Sequence, residues 1–328
     1  MNIKELEYTT NIFDDSILYL EITGENTHYE TINAIRKTCA SDIPIYSFHP
    51  INIKYGVNTT IHNSTDLNMK LSQLPIRNIH HNIDYLEPMY YQGFNFNDND
   101  IPIHVNDTYR IEYYLKIKNE TNSIKRITEN DIIKRVNDII VSDIIEQPIE
   151  IIKLKPQQEL EVSMKAVLSI GKVNSIFNAS HCYYDEIDEN KFILKIESLK
   201  QLTEYEILMK SCIILIEKFR LIHNTINNNK NIILENDDFL IINMDNENLT
   251  TFGVIKYFLL KSDKVLAATA TINNGFLIEN VTLKVKTNKN IRPLDEVNKA
   301  IDLSIELYTN LSKKIEKLHK SAKIKIIN

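Results

Sequence analysis

Residues 26–44, NTHYETINAIRKTCASDIP, have the pattern of a short capped helix that a proline ends. Thr27 and Glu30 have the spacing of a T-x-x-E capping box, in which each side chain accepts a hydrogen bond from a backbone N–H of the first turn. Pro44 cannot continue a helix and favours an extended conformation at the residue before it. Three apolar residues at helical spacing predict the buried face of this helix: Ile32, Ile35 and Cys39.

The elements around this helix occur twice in the chain. A predicted strand at residues 16–22 and a turn at Gly24 precede the helix, and a strand at 45–55 follows it. In the second half, residues 239–244 predict a strand and residues 249–261 predict another short helix. This repetition indicates two structural units of related design.

Each unit ends in a long helix with an apolar seam. Thr203 and Glu206 form a T-x-x-E box that opens a helix reaching about Ile226, and Pro293 opens a helix reaching at least His319. Residues repeat every seven positions along both helices, which is typical of helices that pack against another helix. The seam residues are Tyr205, Cys212, Phe219, Ile226, Leu294, Ile301, Tyr308, Ile315, Val297 and Leu311.

These patterns predict an α+β protein in which two units cover each other's helical seams as a pseudo-two-fold dimer within one chain. The first unit comprises residues 1–55 plus 150–228, and a β-rich insert domain occupies residues 56–149. Residues 229–238 form a linker to the second unit, residues 239–328.

Two local segments carry further predictions. Within the insert, residues 130–141 are the one segment expected to be a long helix. In the second unit, Asn273-Asn274-Gly275 lies between two alternating segments, 265–272 and 277–286, and predicts the turn of a hairpin.

Composition excludes several classes of protein. The 328 residues carry 38 Lys and Arg against 44 Asp and Glu, so the net charge is −6, without the positive charge that nucleic-acid-binding proteins usually carry. Three cysteines form no C-x-x-C pair, which favours a reducing compartment, and Cys39 and Cys212 are expected to be small buried side chains. No apolar segment is long enough for a secretory signal or a membrane span.

No motif for a known catalytic or metal site is present. Nucleotide-binding glycine loops, the G-x-S-x-G elbow and the H-E-x-x-H helix are all absent. Five histidines of the first half could bind a metal, but no pair has ligand spacing, and solvated or hydrogen-bonded histidines are preferred: His49, His62, His80, His81 and His104. Residues 85–96, YLEPMYYQGFNF, could stack on bases, but they lack interleaved Lys or Arg, so a protein contact or a local core is preferred.

The ordered set of short motifs resembles the α-like assembly subunits of multisubunit DNA-directed RNA polymerases. NAIRK at 33–37 and SDIP at 41–44 are similar to the N-S-L-R-R helix and A-E-V-P turn of that family. NTT at 58–60 and KLSQLP at 70–75 are similar to the motifs N-T-T and R-L-x-x-I-P of its insert domain.

The resemblance continues through the rest of the chain. QEL at 158–160 and IGK at 170–172 match a G-Q-E-L strand and a G-I-G-K loop, and TFG at 251–253 stands where the family has T-L-G. The first half resembles the eukaryotic third-largest and archaeal D subunits, and the second half resembles the archaeal L subunit. Fusion of the two in one chain is similar to the arrangement in large cytoplasmic DNA viruses. The chain departs from the family at Asn174, Thr250 and Val254, and the family's cysteine-rich zinc loop is absent.

The resemblance implies a non-catalytic assembly platform that docks the two largest polymerase subunits, and small accessory subunits, for transcription. It implies no catalytic residue, metal or other cofactor, no sequence-specific DNA contact and no membrane. The implied location is intracellular, either in the viral factory of a host cytoplasm or in the virion. The residues expected at partner interfaces are Asn33, Arg36, Lys37, Lys70, Lys172, Thr251 and Gly253. The residues expected in the intramolecular dimer core are Ile32, Ile35, Phe219, Ile301, Tyr308 and Leu311.

Two other classes of function stay open at this point. A stand-alone scaffold with the same fold but without polymerase partners is the second hypothesis. An enzyme is the third, and it is disfavoured because no nucleophile, acid pair or metal constellation stands out. Co-purification with two very large chains separates the first hypothesis from the second.

Overall fold

The computed structural model describes residues 1–10, 16–77, 79, 81–91, 109–141, 144–229, 232–236, 238–245, 249–275 and 278–327. The described chain is a mixed α+β protein with several antiparallel sheets. In these residues no helix combines the length and apolar character that a membrane span requires. The α-helices of the described chain are α1 (Tyr29–Ser41), α2 (Ser64–Leu71), α3 (Glu204–Asn228), α4 (Leu249–Leu260) and α5 (Pro293–Ile327).

The strands have 3 to 11 residues, and single helical turns lie between several strands of the first half. In chain order the strands are β1 (Asn2–Thr10), β2 (Ser16–Thr23), β3 (Ile45–Ser47), β4 (Ile53–Asn58), β5 (Ile111–Lys118), β6 (Lys125–Thr128), β7 (Ile133–Val136), β8 (Ile139–Val141), β9 (Glu150–Leu154), β10 (Glu159–Lys165), β11 (Val167–Ser169), β12 (Ser180–Asp188), β13 (Lys191–Ser198), β14 (Ile233–Glu235), β15 (Phe239–Asp245), β16 (Val265–Gly275) and β17 (Ile278–Thr287).

Two four-stranded sheets have equivalent strands in the same order. The N-terminal sheet has the order β1-β2-β13-β12, and the C-terminal sheet has the order β14-β15-β17-β16. In each sheet the second strand leads into a short helix, α1 or α4, and a hairpin follows that leads into a long helix, α3 or α5. The chain therefore repeats one order of elements twice.

A third sheet, the middle sheet, has the order β4-β10-β5-β7-β8. Its apolar side chains, with those of α2 and of β9, form a buried cluster that includes Phe48, Leu71, Leu115 and Val162. A larger cluster contains side chains from both four-stranded sheets and from α1, α3, α4 and α5. The domain boundaries given above stay a prediction, although β9 and β10 contribute to the middle cluster rather than to the larger one.

The start of α1 differs by one residue from the predicted cap. His28 is the N-cap: its Nδ1 accepts from the Glu30 backbone N–H at 3.4 Å, and the Thr31 hydroxyl accepts from the His28 N–H at 3.1 Å. The predicted box of Thr27 and Glu30 is therefore wrong. The Thr27 hydroxyl is buried with no hydrogen-bond partner among the described residues, and the Glu30 carboxylate pairs with Lys256.

Three further local predictions are wrong. The strand at 45–55 is broken into β3 and β4 by a helical turn at Pro50–Asn52, because proline cannot donate to a sheet ladder. Residues 130–141 contain the hairpin of β7 and β8 instead of a long helix. Asn273 to Gly275 are paired with β17 as part of the ladder and do not form the turn of that hairpin.

The segment predicted as a linker also carries structure. Helix α3 extends to Asn228, and β14, at Ile233–Glu235 within the predicted linker, pairs with β15. The T-x-x-E box at the start of α3 is confirmed, because the Thr203 N–H donates to Glu206 at 2.9 Å and the Glu206 N–H donates to the Thr203 hydroxyl at 3.4 Å.

Helices α3 and α5 pack along their seams. The Phe219 and Tyr308 rings stack with centroids 5.9 Å apart and planes 10° apart, and both side chains are fully buried. The Tyr308 hydroxyl donates to the Thr31 carbonyl of α1 at 3.1 Å. Burial raises the pKa of this hydroxyl well above its ordinary value, so it stays protonated and can donate. One aromatic pair thus joins the long helices to the first short helix.

A buried lysine joins the middle region to α3. The Lys210 ammonium donates to the carbonyls of His81 and Ile83 at 3.3 and 3.1 Å and to the Asp84 carboxylate at 2.7 Å. The His81 Nδ1 accepts from the Ile83 N–H at 3.3 Å, and its Nε2 lies 3.0 Å from the Pro44 carbonyl, which fits a neutral ring. Burial, with a smaller effect of Lys210, lowers the pKa of His81 to about 4.

Truncation of the stacked pair tests the packing of α3 on α5. We expect Phe219→Ala to lower the free energy of unfolding by about 3–5 kcal/mol, because it leaves a cavity at the centre of the core. Leu221→Ala shortens an exposed side chain of the same helix and should change that free energy by about 0.5 kcal/mol or less. Urea denaturation followed by circular dichroism measures both, and equal effects would contradict this packing.

The neutral state of His81 predicts a dependence of stability on pH. Its folded pKa lies below the unfolded value of 6.5, so the stability it contributes is present above pH 6.5 and is lost as the pH falls toward 4. The loss is on the order of 3 kcal/mol. We expect His81→Gln to flatten this part of the unfolding profile, whereas His181→Gln, at an exposed histidine, leaves it unchanged. Identical profiles for all three proteins would show that His81 does not titrate in this way.

Candidate functional site

Two parts of the surface around α1 form the candidate site, because α1 contacts both halves of the molecule. At its N-terminal end, α1 packs against α4 of the C-terminal half. At its C-terminal end, a group of basic residues lies beside the loop that follows β11. We call the first the inter-half junction (Asn26, His28, Glu30, Gly253, Lys256, Tyr257, Lys261) and the second the basic surface (Arg36, Lys37, Lys172).

The inter-half junction is held by an ion pair, a ring stack and a hydrogen bond. Glu30 pairs with Lys256 at 2.7 Å, with both side chains largely shielded from solvent. The His28 and Tyr257 rings stack with centroids 4.6 Å apart. The Lys261 ammonium donates to the Asn26 side-chain oxygen at 2.7 Å.

Gly253 determines how closely the two short helices approach. A Cβ atom at this position would lie 2.4 Å from Oε2 of Glu30 and 3.1 Å from its Cδ, so the Glu30 side chain would have to shift to accommodate it. Thr251 and Gly253 are both buried, so the structure places these two predicted interface residues in the interior. A glycine in the middle of an apolar helix is the sequence feature that could have indicated this close approach.

The junction also borders an acidic, aromatic cleft of about 830 Å³. The cleft is lined by Tyr29, Tyr257, Glu25, Glu186 and Glu189, among others. The Tyr29 hydroxyl donates to Glu30 at 2.8 Å, and that hydrogen bond, with burial second, raises its pKa to about 12. Burial lowers the pKa of His28, which favours the neutral ring that caps α1.

The basic surface is built on the last turns of α1. The Arg36 guanidinium donates twice to the Asn33 side-chain oxygen, at 3.0 and 2.9 Å, which fixes its direction. Lys37 is exposed and makes no ion pair with a described residue. The loop that carries Lys172 is fixed against α1, because its backbone N–H donates to the Ser41 carbonyl at 2.8 Å.

Gly171 allows this loop to lie directly on the helix end. A Cβ at Gly171 would lie 2.1 Å from the Asn178 side-chain oxygen and 3.1 Å from the Cα of Ser41. Beneath the loop, Asp42 ends α1 and pairs with Lys218 of α3 at 2.5 Å, and both side chains are mostly buried. This pair offsets the unfavourable position of an acid at the negative end of a helix dipole. No local sequence pattern indicates this pair, because its two residues are 176 positions apart.

The remaining predicted residues lie elsewhere. Lys70 is exposed on α2, in the middle region. The six residues expected in the dimer core are all fully buried or nearly so and belong to one apolar cluster: Ile32, Ile35, Phe219, Ile301, Tyr308 and Leu311.

These surfaces carry charged, aromatic and hydrogen-bonding side chains. Among the described residues, no group of three or more His, Cys, Asp and Glu side chains could hold a metal ion. The three cysteines are buried as free thiols. Hydrogen bonding with Cys39 and burial raise the pKa of the Cys182 thiol well above its ordinary value.

Comparison with known proteins gives one relative that matches along almost the whole chain. Over 327 residues the chain is 24% identical to a protein of Acanthamoeba polyphaga mimivirus that is provisionally named as a DNA-directed RNA polymerase subunit. The alignment covers 92% of this chain and 91% of that protein. No protein-family model matches the chain.

Substitution of Gly253 tests the inter-half junction. Gly253→Ala places a methyl group against Glu30, and we expect it to lower the free energy of unfolding by about 1–3 kcal/mol. In a Glu30→Ala background the obstructing carboxylate is gone, and the same substitution should become neutral or stabilising by up to about 1 kcal/mol, as alanine favours helices over glycine. A double-mutant cycle in urea measures this change of sign. A stabilising effect of equal size in both backgrounds would mean that Gly253 does not face Glu30.

Proposed function

We propose that this chain is a non-catalytic assembly subunit of a DNA-directed RNA polymerase, which docks the two largest catalytic subunits. The observation that carries the proposal is the extent of the similarity to the mimivirus protein. Because the alignment spans about nine tenths of both chains, it includes both halves and the middle region. A shared local motif would not produce such an alignment.

The repeated architecture supports the assembly role. The two four-stranded sheets have equivalent strands in the same order, and the long helix of each half covers the apolar seam of the other. This arrangement is what a homodimer of one ancestral unit would have after fusion into one chain. In our proposal, residues 1–55 with 150–228 and residues 239–328 are the two fused units, residues 56–149 are an insert domain, and residues 229–238 link the halves.

The basic surface is the proposed contact with a large subunit. Arg36 is held in a fixed direction by Asn33, Lys37 is the next residue and is exposed, and Lys172 is exposed on the loop that is bonded to Ser41 at the end of α1. A surface group of positive side chains complements an acidic segment of a partner. Such charge complementarity determines how the two surfaces align and raises the rate of association. Lys70, on a different part of the surface, is proposed as a second partner contact.

In this proposal the catalytic metal ligands belong to the large subunits, and the chain itself brings no cofactor and reads no DNA sequence. Small accessory polymerase subunits complete its partners. The proposed place of action is the viral factory of an infected cell or the virion.

Affinity purification of the tagged chain from its native source tests the proposal. We expect two very large chains to co-purify in equal molar amounts with it. Arg36→Glu with Lys37→Glu should lower their recovery by about tenfold or more, because it reverses the charge of the basic surface. The control is Lys313→Glu, at an exposed lysine of α5.

Two results would count against the proposal. A well-folded, soluble chain that captures no large chains would favour a scaffold without polymerase partners. Equal losses with Lys313→Glu and with the double variant would show that the basic surface is not the specific contact.

A further inference from the structure

Strand β16 forms one edge of the C-terminal sheet. It pairs with β17 on one side, and within the described chain no strand pairs with it on the other. An edge strand presents alternate backbone N–H and C=O groups without sheet partners, which can pair with another chain. The ladder with β17 is irregular between Val265 and Ala267, so the regular part of this edge begins at Ala267. We call residues 267–272, AATATI, the free edge.

The free edge lacks the features that usually protect an edge strand. It contains no charged residue, no proline and no glycine, and its threonines and isoleucine favour β structure. Ala267, Thr269 and Thr271 are exposed, and their small side chains leave space for a neighbouring strand. Such a segment is open to addition of a strand.

The N-terminal sheet provides an internal comparison. Strand β12 occupies the position in that sheet that β16 occupies in its own. It carries three exposed acids, Asp185, Glu186 and Asp188, which oppose pairing with a further strand. At the other edge of that sheet, β1 carries Lys4, Glu5 and Glu7. The uncharged edge is therefore a particular property of β16 and not of the repeated fold.

Two lysines indicate the chemistry of an added strand. Lys284 lies directly opposite Thr269 in the ladder, and Lys286 lies opposite Ala267. Both lysines are exposed, and neither makes an ion pair with a described residue. A strand added beside β16 would lie about 10 Å from β17, since neighbouring strands are about 4.8 Å apart, and extended lysine side chains can cover most of that distance. Acidic side chains on the outer face of the added strand would complement these two lysines.

We propose that the free edge accepts an extended segment of one of the large polymerase chains as a fifth strand of the C-terminal sheet. This inference rests on the proposed function for the identity of the partner. The segment is uncharged where it faces the core and carries at least one acidic residue on its outer face. A second copy of this chain fits less well, because its own β16 has no acid and would bring two more lysines to the same face.

Hydrogen exchange of the backbone amides tests the inference. We compare the free chain with the assembled polymerase, isolated through the tag, and follow the peptide that covers residues 267–272. The backbone amides of this peptide that point away from β17 should exchange rapidly in the free chain. In the assembly they should exchange at least about tenfold more slowly, because a hydrogen bond to the added strand must open before each exchange. The internal reference is the peptide that covers β12, because the acidic side chains of β12 oppose pairing with a further strand.

Each outcome separates the two proposals. Unchanged exchange at residues 267–272 in an assembly that contains the large chains would overturn strand addition and leave the proposed function intact. Absence of the large chains would overturn the proposed function and, with it, the identity of this partner. Protection that appears in the free chain with rising concentration, together with a dimer in solution, would assign the edge to a second copy instead.

A charge variant tests the acidic character of the added strand. Lys284→Glu with Lys286→Glu should reduce the protection of residues 267–272 by about tenfold, and raised salt should weaken it in the unmodified chain. Lys289→Glu, at an exposed lysine just after β17, is the matched control and should retain full protection. Full protection in the double variant would show that the added strand is not recognised through these lysines.

Discussion

The packing of α3 against α5 is the contact on which the rest of the structure depends. Each helix follows a small four-stranded sheet and exposes more apolar seam than that sheet can cover. Helix α5 has 35 residues and is therefore roughly 50 Å long, far longer than one face of its sheet. Helix α5 is buried against α3, α4 and β1, and the stacked rings of Phe219 and Tyr308 lie where the two long helices meet α1.

This packing positions the surfaces that carry the proposed function. It brings α1 against α4, where Gly253 allows Glu30 to reach Lys256 across the halves. It also holds the N-terminal strand, because the Lys314 ammonium of α5 donates to the Met1 carbonyl at 2.6 Å and the Tyr205 hydroxyl of α3 donates to Glu5. The C-terminal end of α1 is then free of the junction and presents the basic surface, while β16 remains uncovered at the far edge of its sheet.

The sequence allowed prediction of the elements whose causes are local. The T-x-x-E box at Thr203 and the proline at 293 determine where the long helices begin, and the heptad seams identify their buried faces.

Structural features that depend on contacts between distant residues could not be predicted from local sequence patterns. Thr27 is a residue type that often caps helices, but the N-cap of α1 is His28, one residue later. The Glu30 carboxylate, which the predicted box requires, pairs instead with Lys256 of the other half. In the same way, Asn273-Asn274-Gly275 has turn chemistry, yet the ladder with β17 extends through it. The role of Asp42 with Lys218 depends on a contact 176 residues along the chain, which no local pattern encodes.

The most direct test divides the chain between the end of α3 and the start of β14, into residues 1–229 and 232–328. If the two halves cover each other's seams, the two chains produced together should associate as a stable one-to-one complex, as separate subunits would. Phe219→Glu in the first chain should abolish the complex, because it buries a charge in the seam, whereas Leu221→Glu, at an exposed position of the same helix, should preserve it. Failure of the two unmodified chains to associate, while the intact chain folds normally, would contradict the pseudo-dimer.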